Sequence, residues 1–505
     1  MTIRHNSETF SNHVNFLLTQ NPELRTQNSE PRTQNPELRT QNSELRTQNS
    51  EPRTQNPELR TQNKNEISMI KELTKTELLH ERRKKLVPNA LGIFNPSSVV
   101  SASGAIITDA DGRKLIDFGG GIGVINAGHC PPPVVKAIQD QAEKFLHTCF
   151  NVSIYEQYLD AAEKLISLIP HGEHTKVMFT NSGAEAVENA IKIARQATKR
   201  SAIICYSQAF HGRTLLASTL TSKVGYKTGF GPYAPEIYRI DFPAYSYYKG
   251  YATEDEVSMV HIHKLNDFFN TYVPAKDVAA IIVEPVQGEG GFHVLPKKYL
   301  QELRNICDLH GILLILDEVQ TGFGRTGKWA AFHHYDIIPD MSTWAKSMGS
   351  GMPIGAVMGK AEIMDNINPG TIGGTFSGNA LCCAAVTATL NFMEDININA
   401  KGVIIGAKIL EAFTDFKNKF PKHISDVRGL GAMMAFELSI DGDITRPDAE
   451  LCKKLVNRCY EKGLIVLSAG VYGNVIRNLA PLVIEEADLL RGLLIMEESL
   501  FELTQ

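Results

Sequence analysis

Two residues that can do chemistry stand where an α/β sheet opens onto a ligand. Residues 312–316 are an unbroken apolar run, too short for a lone helix, so they read as a fully buried strand of a parallel sheet. Asp317 follows at its carboxyl end. Residues 340–345 read as a second short element that ends at Lys346, inside the small-residue run Lys346-Ser347-Met348-Gly349-Ser350-Gly351. Ligands of open α/β sheets sit just beyond the carboxyl ends of the strands, so an acid and a lysine flank one crevice. A lysine amine there can act as nucleophile and then as proton carrier. Taken singly, Asp317 reads equally well as a cap and Lys346 as a surface lysine.

Other elements aim further groups at the same edge. Residues 176–180 form a strand, and Asn181-Ser182-Gly183-Ala184 opens a helix with Val187, Ala190, Ile191 and Ala194 at positions i, i+3, i+4 and i+7. A helix start rich in small residues offers free N–H groups and the positive end of the dipole, which suits a phosphate; a plain Ser182 N-cap is the alternative. The buried strand 201–206 leads to Phe210-His211-Gly212-Arg213, and strand 278–283 runs into Glu284-Pro285-Val286-Gln287-Gly288-Glu289-Gly290-Gly291. Phe118-Gly119-Gly120-Gly121-Ile122-Gly123 allows a close backbone approach, with or without a ligand. Arg477 lies in an apolar strand, Val475-Ile476-Arg477-Asn478-Leu479, and needs a partner there.

Asp317-Glu318-Val319-Gln320-Thr321-Gly322-Phe323-Gly324-Arg325-Thr326-Gly327, with Lys346 beyond it, resembles the class III (subgroup II) aminotransferases, near the 4-aminobutyrate type. The resemblance runs from about Leu86 to the C-terminus. It implies pyridoxal 5'-phosphate as cofactor and fold type I, with a large domain built on a doubly wound, mostly parallel seven-stranded sheet and a smaller α+β C-terminal domain. Lys346 matches the Schiff-base lysine and Asp317 the aspartate on the ring nitrogen. Gly183 and Ala184 match the phosphate cup, where relatives often have serine in place of Ala184. Phe210 and Val319 match the residues on the two ring faces, His211 a neighbour of the cofactor, and Gln320 the partner of the phenolic oxygen. Thr375, in Gly373-Gly374-Thr375-Phe376, matches a threonine that reaches the cofactor phosphate of a neighbouring subunit, which implies a homodimer or a dimer of dimers. For substrate, Ile122 matches a pocket residue, Arg213 the arginine for an ω-amino acid's distal carboxylate and Arg477 the α-carboxylate arginine. Glu289 is expected to neutralise Arg477 until glutamate or 2-oxoglutarate arrives, and Glu284 to support its loop. The implied reaction is transamination of 4-aminobutyrate or 5-aminovalerate with 2-oxoglutarate. An acetylornithine or ornithine aminotransferase and a glutamate-semialdehyde aminomutase are the alternatives within the fold.

Composition agrees with an enzyme of this size. The 505 residues are 43% hydrophobic and 21% charged with a net charge of −5, which gives no bulk attraction to nucleic acid or anionic membrane. The first 70 residues show no helix-turn-helix pattern or basic patch, against a DNA-binding regulator on the same fold. Eight scattered cysteines without a CxxC pair, no secretory leader and no apolar run of membrane length point to a cytoplasmic chain with free thiols and no metal. The unit TQN(P/S)E(L/P)R recurs every seven residues from position 19. Its prolines and single apolar position per unit rule out a coiled coil and leave too little to bury, so residues 1–63 are expected to be disordered. The expected division is then 64–128 as an N-terminal segment with a short amphipathic helix at 72–86, 129–379 as the cofactor-binding domain and 380–505 as the small domain.

Overall fold

The computed structural model describes residues 73–505; the heptad repeats lie outside the described residues. The central sheet has seven strands in the order Thr175–Thr180, Gly355–Lys360, Met341–Trp344, Leu313–Asp317, Val278–Val283, Ala202–Tyr206 and Ile237–Ile240. Gly355–Lys360 runs antiparallel to both its neighbours, and the other pairings are parallel. This is the mostly parallel seven-stranded sheet that the sequence implied. Every residue of Val278–Val283 and of Ala202–Tyr206 is buried, which explains why these strands read as continuous apolar runs rather than alternating ones. Helix Gly183–Thr198 lays its expected stripe, Val187, Ala190, Ile191 and Ala194, against the sheet's core. Because the parallel strands share one direction, Asp317, Glu284 and the segments after Tyr206 and Trp344 emerge at the same edge.

The C-terminal part builds a four-stranded antiparallel sheet in the order Ile424–Leu430, Met433–Leu438, Val475–Arg477 and Leu467–Ala469. Helices Ile398–Lys419, Ala449–Glu461 and Glu486–Thr504 belong to the same α+β region. A third sheet joins the two ends of the described chain. Strands Ile106–Thr108 and Lys114–Asp117 form the hairpin expected at Asp111-Gly112, and Leu464–Ile465 adds in parallel to Lys114–Asp117.

The N-terminal helix differs from expectation. It forms over Lys75–Leu86 with a capping box between Thr74 and Glu77, but Leu78, Leu79 and Leu86 are exposed and Thr76 is its buried residue. Polar bonds at its N-terminus hold it, from Lys75 N to Asp111 Oδ1 at 2.7 Å and Thr76 N to Asp111 Oδ2 at 3.2 Å, in place of an apolar face.

Helix Ile398–Lys419 packs close enough to need glycine. A Cβ at Gly406 would lie 2.1 Å from the carbonyl oxygen of Gly431, a backbone atom that cannot rotate away. Alanine adds about 1 kcal/mol of helix propensity, whereas overpacking costs about 1–3 kcal/mol and more where backbone must shift. Gly406→Ala should therefore lower the thermal midpoint by about 3 °C or more, measured by scanning calorimetry; a midpoint at or above wild type would show that the two segments can separate freely.

Candidate active site

A cavity of about 440 Å³ opens at the carboxyl ends of the central strands. Its lining includes Gly183, Ala184, Phe210, His211, Arg213, Glu289, Asp317, Val319, Gln320 and Lys346, so most of the sequence-derived candidates meet in one space. Ile122 and Thr375 are outside it. Ile122 sits in a left-handed backbone conformation and packs on the apolar cluster around Val286 and Phe292, while Val124, two residues on, lines the cavity. Thr375 is exposed, next to exposed Phe376.

Asp317 ends its strand 5% exposed, yet its carboxylate is fully engaged. His211 Nδ1 donates to Oδ2 at 2.7 Å, and Oδ1 accepts from Thr343 Oγ1 at 3.0 Å and from Val319 N at 3.2 Å. Thr343 comes from the strand next door, Met341–Trp344, and sequence reading passed over it as one more β-branched strand residue. Lys346 follows that strand with φ +47°, a conformation that a lysine rarely adopts, which re-aims its side chain into the cavity. Burial pushes its amine down to about 8, with Arg477 acting the same way and Glu289 against it.

Glu284 ties two segments together. Its Oε1 accepts from Phe210 N at 2.9 Å and its Oε2 from Gly288 N at 2.8 Å, and burial pushes the carboxyl up to about 7. Support of the loop, as expected for Glu284, is what these bonds provide. At the helix start, Ser182 Oγ caps Glu185 N at 3.2 Å, and the first-turn residues Gly183 and Ala184 line the cavity. The approach there is tight. A Cβ at Gly183 would lie 3.0 Å from both methyls of Val319, and one at Gly212 would lie 2.6 Å from the Ala184 methyl.

Behind the cavity Arg477 is 1% exposed, its Nη1 2.5 Å from Glu289 Oε1, while its buried Nε and Nη2 have no partner. Burial works to raise the Glu289 carboxyl, but Arg477 outweighs it and holds the group below the usual carboxylate range. Glu289 Oε2 accepts from Tyr226 OH at 3.2 Å. The exposed guanidinium of Arg213 lies over the Tyr226 ring, 4.3 Å from its centroid, and Phe210 meets the same ring edge-on at 5.4 Å. Tyr226 was not legible in the sequence, because it sits in a single 3₁₀ turn, Val224–Tyr226, with no periodic pattern around it.

The residues fit pyridoxal phosphate. An anion-binding helix start, an anchored carboxylate, an amine and an aromatic face line one cavity, and glycines at 183 and 288 leave space that a Cβ would fill against Val319 and Gln320. Gln320 Oε1 is buried there without a partner. A sheet and site of this kind define a fold-type I pyridoxal-phosphate enzyme. The chain belongs to the class-III aminotransferase family, whose model matches residues 93–500, and it is a pyridoxal-phosphate-dependent aminotransferase. It is 45% identical over 433 residues to the 5-aminovalerate aminotransferase DavT of Pseudomonas aeruginosa, covering 85% of this chain and all of that one. It is 43% identical over 428 residues to the 4-aminobutyrate aminotransferase GabT of Escherichia coli K12, covering 85% and 99%. Among solved structures it resembles the ornithine aminotransferase of Toxoplasma gondii ME49, with a TM-score of 0.74, 28% identity and coverage of 89% and 99%. No helix of the described residues is long and apolar enough to cross a membrane, and no His/Cys/Asp/Glu group among them could hold a metal ion.

With its amine near 8, Lys346 should be half unprotonated two pH units below an ordinary lysine at about 10.4. The rate at which apoenzyme takes up pyridoxal phosphate covalently should rise between pH 7 and 9 and then level off, followed by stopped-flow absorbance. A rise that continues past pH 10 would place the amine in water-like surroundings.

Proposed function

We propose that this chain transaminates an ω-amino acid, 4-aminobutyrate or 5-aminovalerate, with 2-oxoglutarate. The observation that carries the reading is the buried Glu289–Arg477 pair beside an exposed Arg213 that meets no carboxylate among the described residues. An ω-amino acid has one carboxylate, for Arg213, and Arg477 stays neutralised by Glu289. Glutamate and 2-oxoglutarate bring a second carboxylate, which replaces Glu289 on Arg477, taking the Nη1 that Glu289 leaves together with the idle Nη2. Leaving that guanidinium uncompensated costs about 3–5 kcal/mol, so one site must offer it a carboxylate in both half-reactions. The names of the DavT and GabT relatives support the same substrate class.

The cofactor, when bound, supplies the electron sink. Asp317, oriented by His211, Thr343 and the Val319 N–H, would face the pyridine nitrogen and keep it protonated. Of the residues lining the cavity, Phe210 and Val319 would hold the two ring faces, Gln320 would hydrogen-bond the phenolic oxygen, and the N–H groups of Gly183 and Ala184 would take the phosphate. Ala184 has no hydroxyl to add. Lys346 would hold the cofactor covalently and, once freed by substrate, would carry the proton between the substrate carbon and the cofactor carbon that receives it. Ile122 packs behind the substrate end, where Val124 lines the wall.

Thr375 completes the phosphate site of a second subunit. It stands beside exposed Phe376, whose ring lies tilted against His147 with centroids 4.9 Å apart, and Leu146, Val152 and Ile154 are exposed in the same region. Phe376→Glu combined with Ile154→Asp should give monomers by sedimentation and loosen pyridoxal phosphate in dialysis. A monomeric wild type would remove this assignment.

A donor panel decides the substrate. With 2-oxoglutarate as acceptor, 4-aminobutyrate and 5-aminovalerate should outrun ornithine, acetylornithine and β-alanine. In Glu289→Ala, single turnover of 4-aminobutyrate should fall by roughly 10²-fold, from ~3 kcal/mol of lost pairing, with a much smaller loss for glutamate. Equal losses would mean that Glu289 only shapes its loop.

A further inference from the structure

Tyr226 touches both carboxylate anchors at once. Its hydroxyl donates to Glu289 Oε2 at 3.2 Å while Arg477 holds Oε1 at 2.5 Å, so the glutamate is gripped by one group on each oxygen. Its ring carries the Arg213 guanidinium 4.3 Å from the centroid and is braced edge-on by Phe210. Arg213 is exposed, so the ring face is what fixes its position in the absence of substrate. The backbone of the Glu289 turn is fixed separately, by Gly470 N to Glu289 O at 3.0 Å and Arg428 Nε to Gly291 O at 2.7 Å. Letting go of Glu289 Oε2 therefore frees the side chain without moving the turn.

We infer that Tyr226 is the positioning residue that sets the balance between one-carboxylate and two-carboxylate substrates, its hydroxyl latching Glu289 onto Arg477 and its ring presenting Arg213. The inference rests on the assignment of Arg213 and Arg477 as the two carboxylate anchors. A dicarboxylate reaches Arg477 only in the fraction of molecules whose Glu289 has turned away, so its apparent affinity is reduced by that fraction. The latch favours the closed arrangement; the ring serves both substrate classes equally.

The test is binding of two amine-free probes to holoenzyme by titration calorimetry, with glutarate needing both arginines and butanoate needing Arg213 alone. Tyr226→Phe keeps the ring and loses the hydroxyl, and it should tighten glutarate by about tenfold or more, as expected for one hydrogen bond to a charged group, with butanoate unchanged. Tyr226→Leu removes the ring as well and should weaken butanoate. Arg477→Met should weaken glutarate and spare butanoate. If Arg477→Met leaves the glutarate to butanoate ratio as in wild type, the two-anchor reading falls and the latch with it. If Arg477→Met behaves as stated while Tyr226→Phe keeps the wild-type ratio or weakens glutarate, the latch alone is overturned. A purely structural tyrosine would shift both probes together.

Discussion

A guanidinium that is 1% exposed, with a single carboxylate oxygen at 2.5 Å and two idle N–H faces, is the constraint to which the rest of this site answers. A charge so placed must keep a carboxylate beside it at every stage of a reaction. Glu289 meets that need from a turn whose backbone is held on three sides, through Gly288 N to Glu284, Glu289 O to Gly470 N and Gly291 O to Arg428. Glycine at 288 and 290 lets the turn run close to Gln320 and Gln208, where a Cβ would lie 2.5 Å from Gln320 Oε1 and 2.6 Å from Gln208 O. The backbone of the turn is thus held independently of the Glu289 side chain. The proposed alternation of Arg477 between carboxylates calls for such an element, a fixed main chain carrying one acid.

How much of this was legible follows from what each signal depends on. The central strands were visible because burial on both faces forces unbroken apolar runs, as in Val278–Val283 and Leu313–Asp317. Acids at their ends then mark the ligand edge without further information. The helix start at Gly183 was visible from a 3.6-residue stripe and a serine cap. Contacts made between loops were not. Tyr226 lies in a three-residue turn, and nothing local says that its hydroxyl meets residue 289 or that its ring lies under residue 213. The same holds for Leu464–Ile465, which pairs with Lys114–Asp117 across 348 residues of sequence, because a two-residue strand carries no period of its own. At 72–86 composition misled: leucines and charges at helical spacing suggest an amphipathic face, but the helix is tied by its first N–H groups to Asp111 and its leucines stay in water.

The acids around Asp317 show why residue type alone does not assign chemistry. Glu284 and Glu318 are both buried and both pushed by burial up to about 7, the signature of a proton donor tuned to neutral pH. Their bonds say otherwise. Glu318 accepts from the Ala331 and Phe332 N–H groups and from Thr321 Oγ1, and Glu284 from Phe210 N and Gly288 N, so each carboxyl is occupied by the chain it holds in place. The linkage has a definite sign. A carboxyl raised on folding binds a proton in the native chain that the unfolded chain has already lost, so stability falls as pH rises from about 4.5 to about 7 and is level above. The fold bears that loss because the ties fix the Phe210 segment and the Glu289 turn relative to each other. Lys346 differs in kind: burial lowers its amine toward the unprotonated form, and it is the amine that lines the cavity beside an anchored aspartate. The proposed proton transfer is therefore assigned to the lysine, and the buried acids hold the segments around it in place.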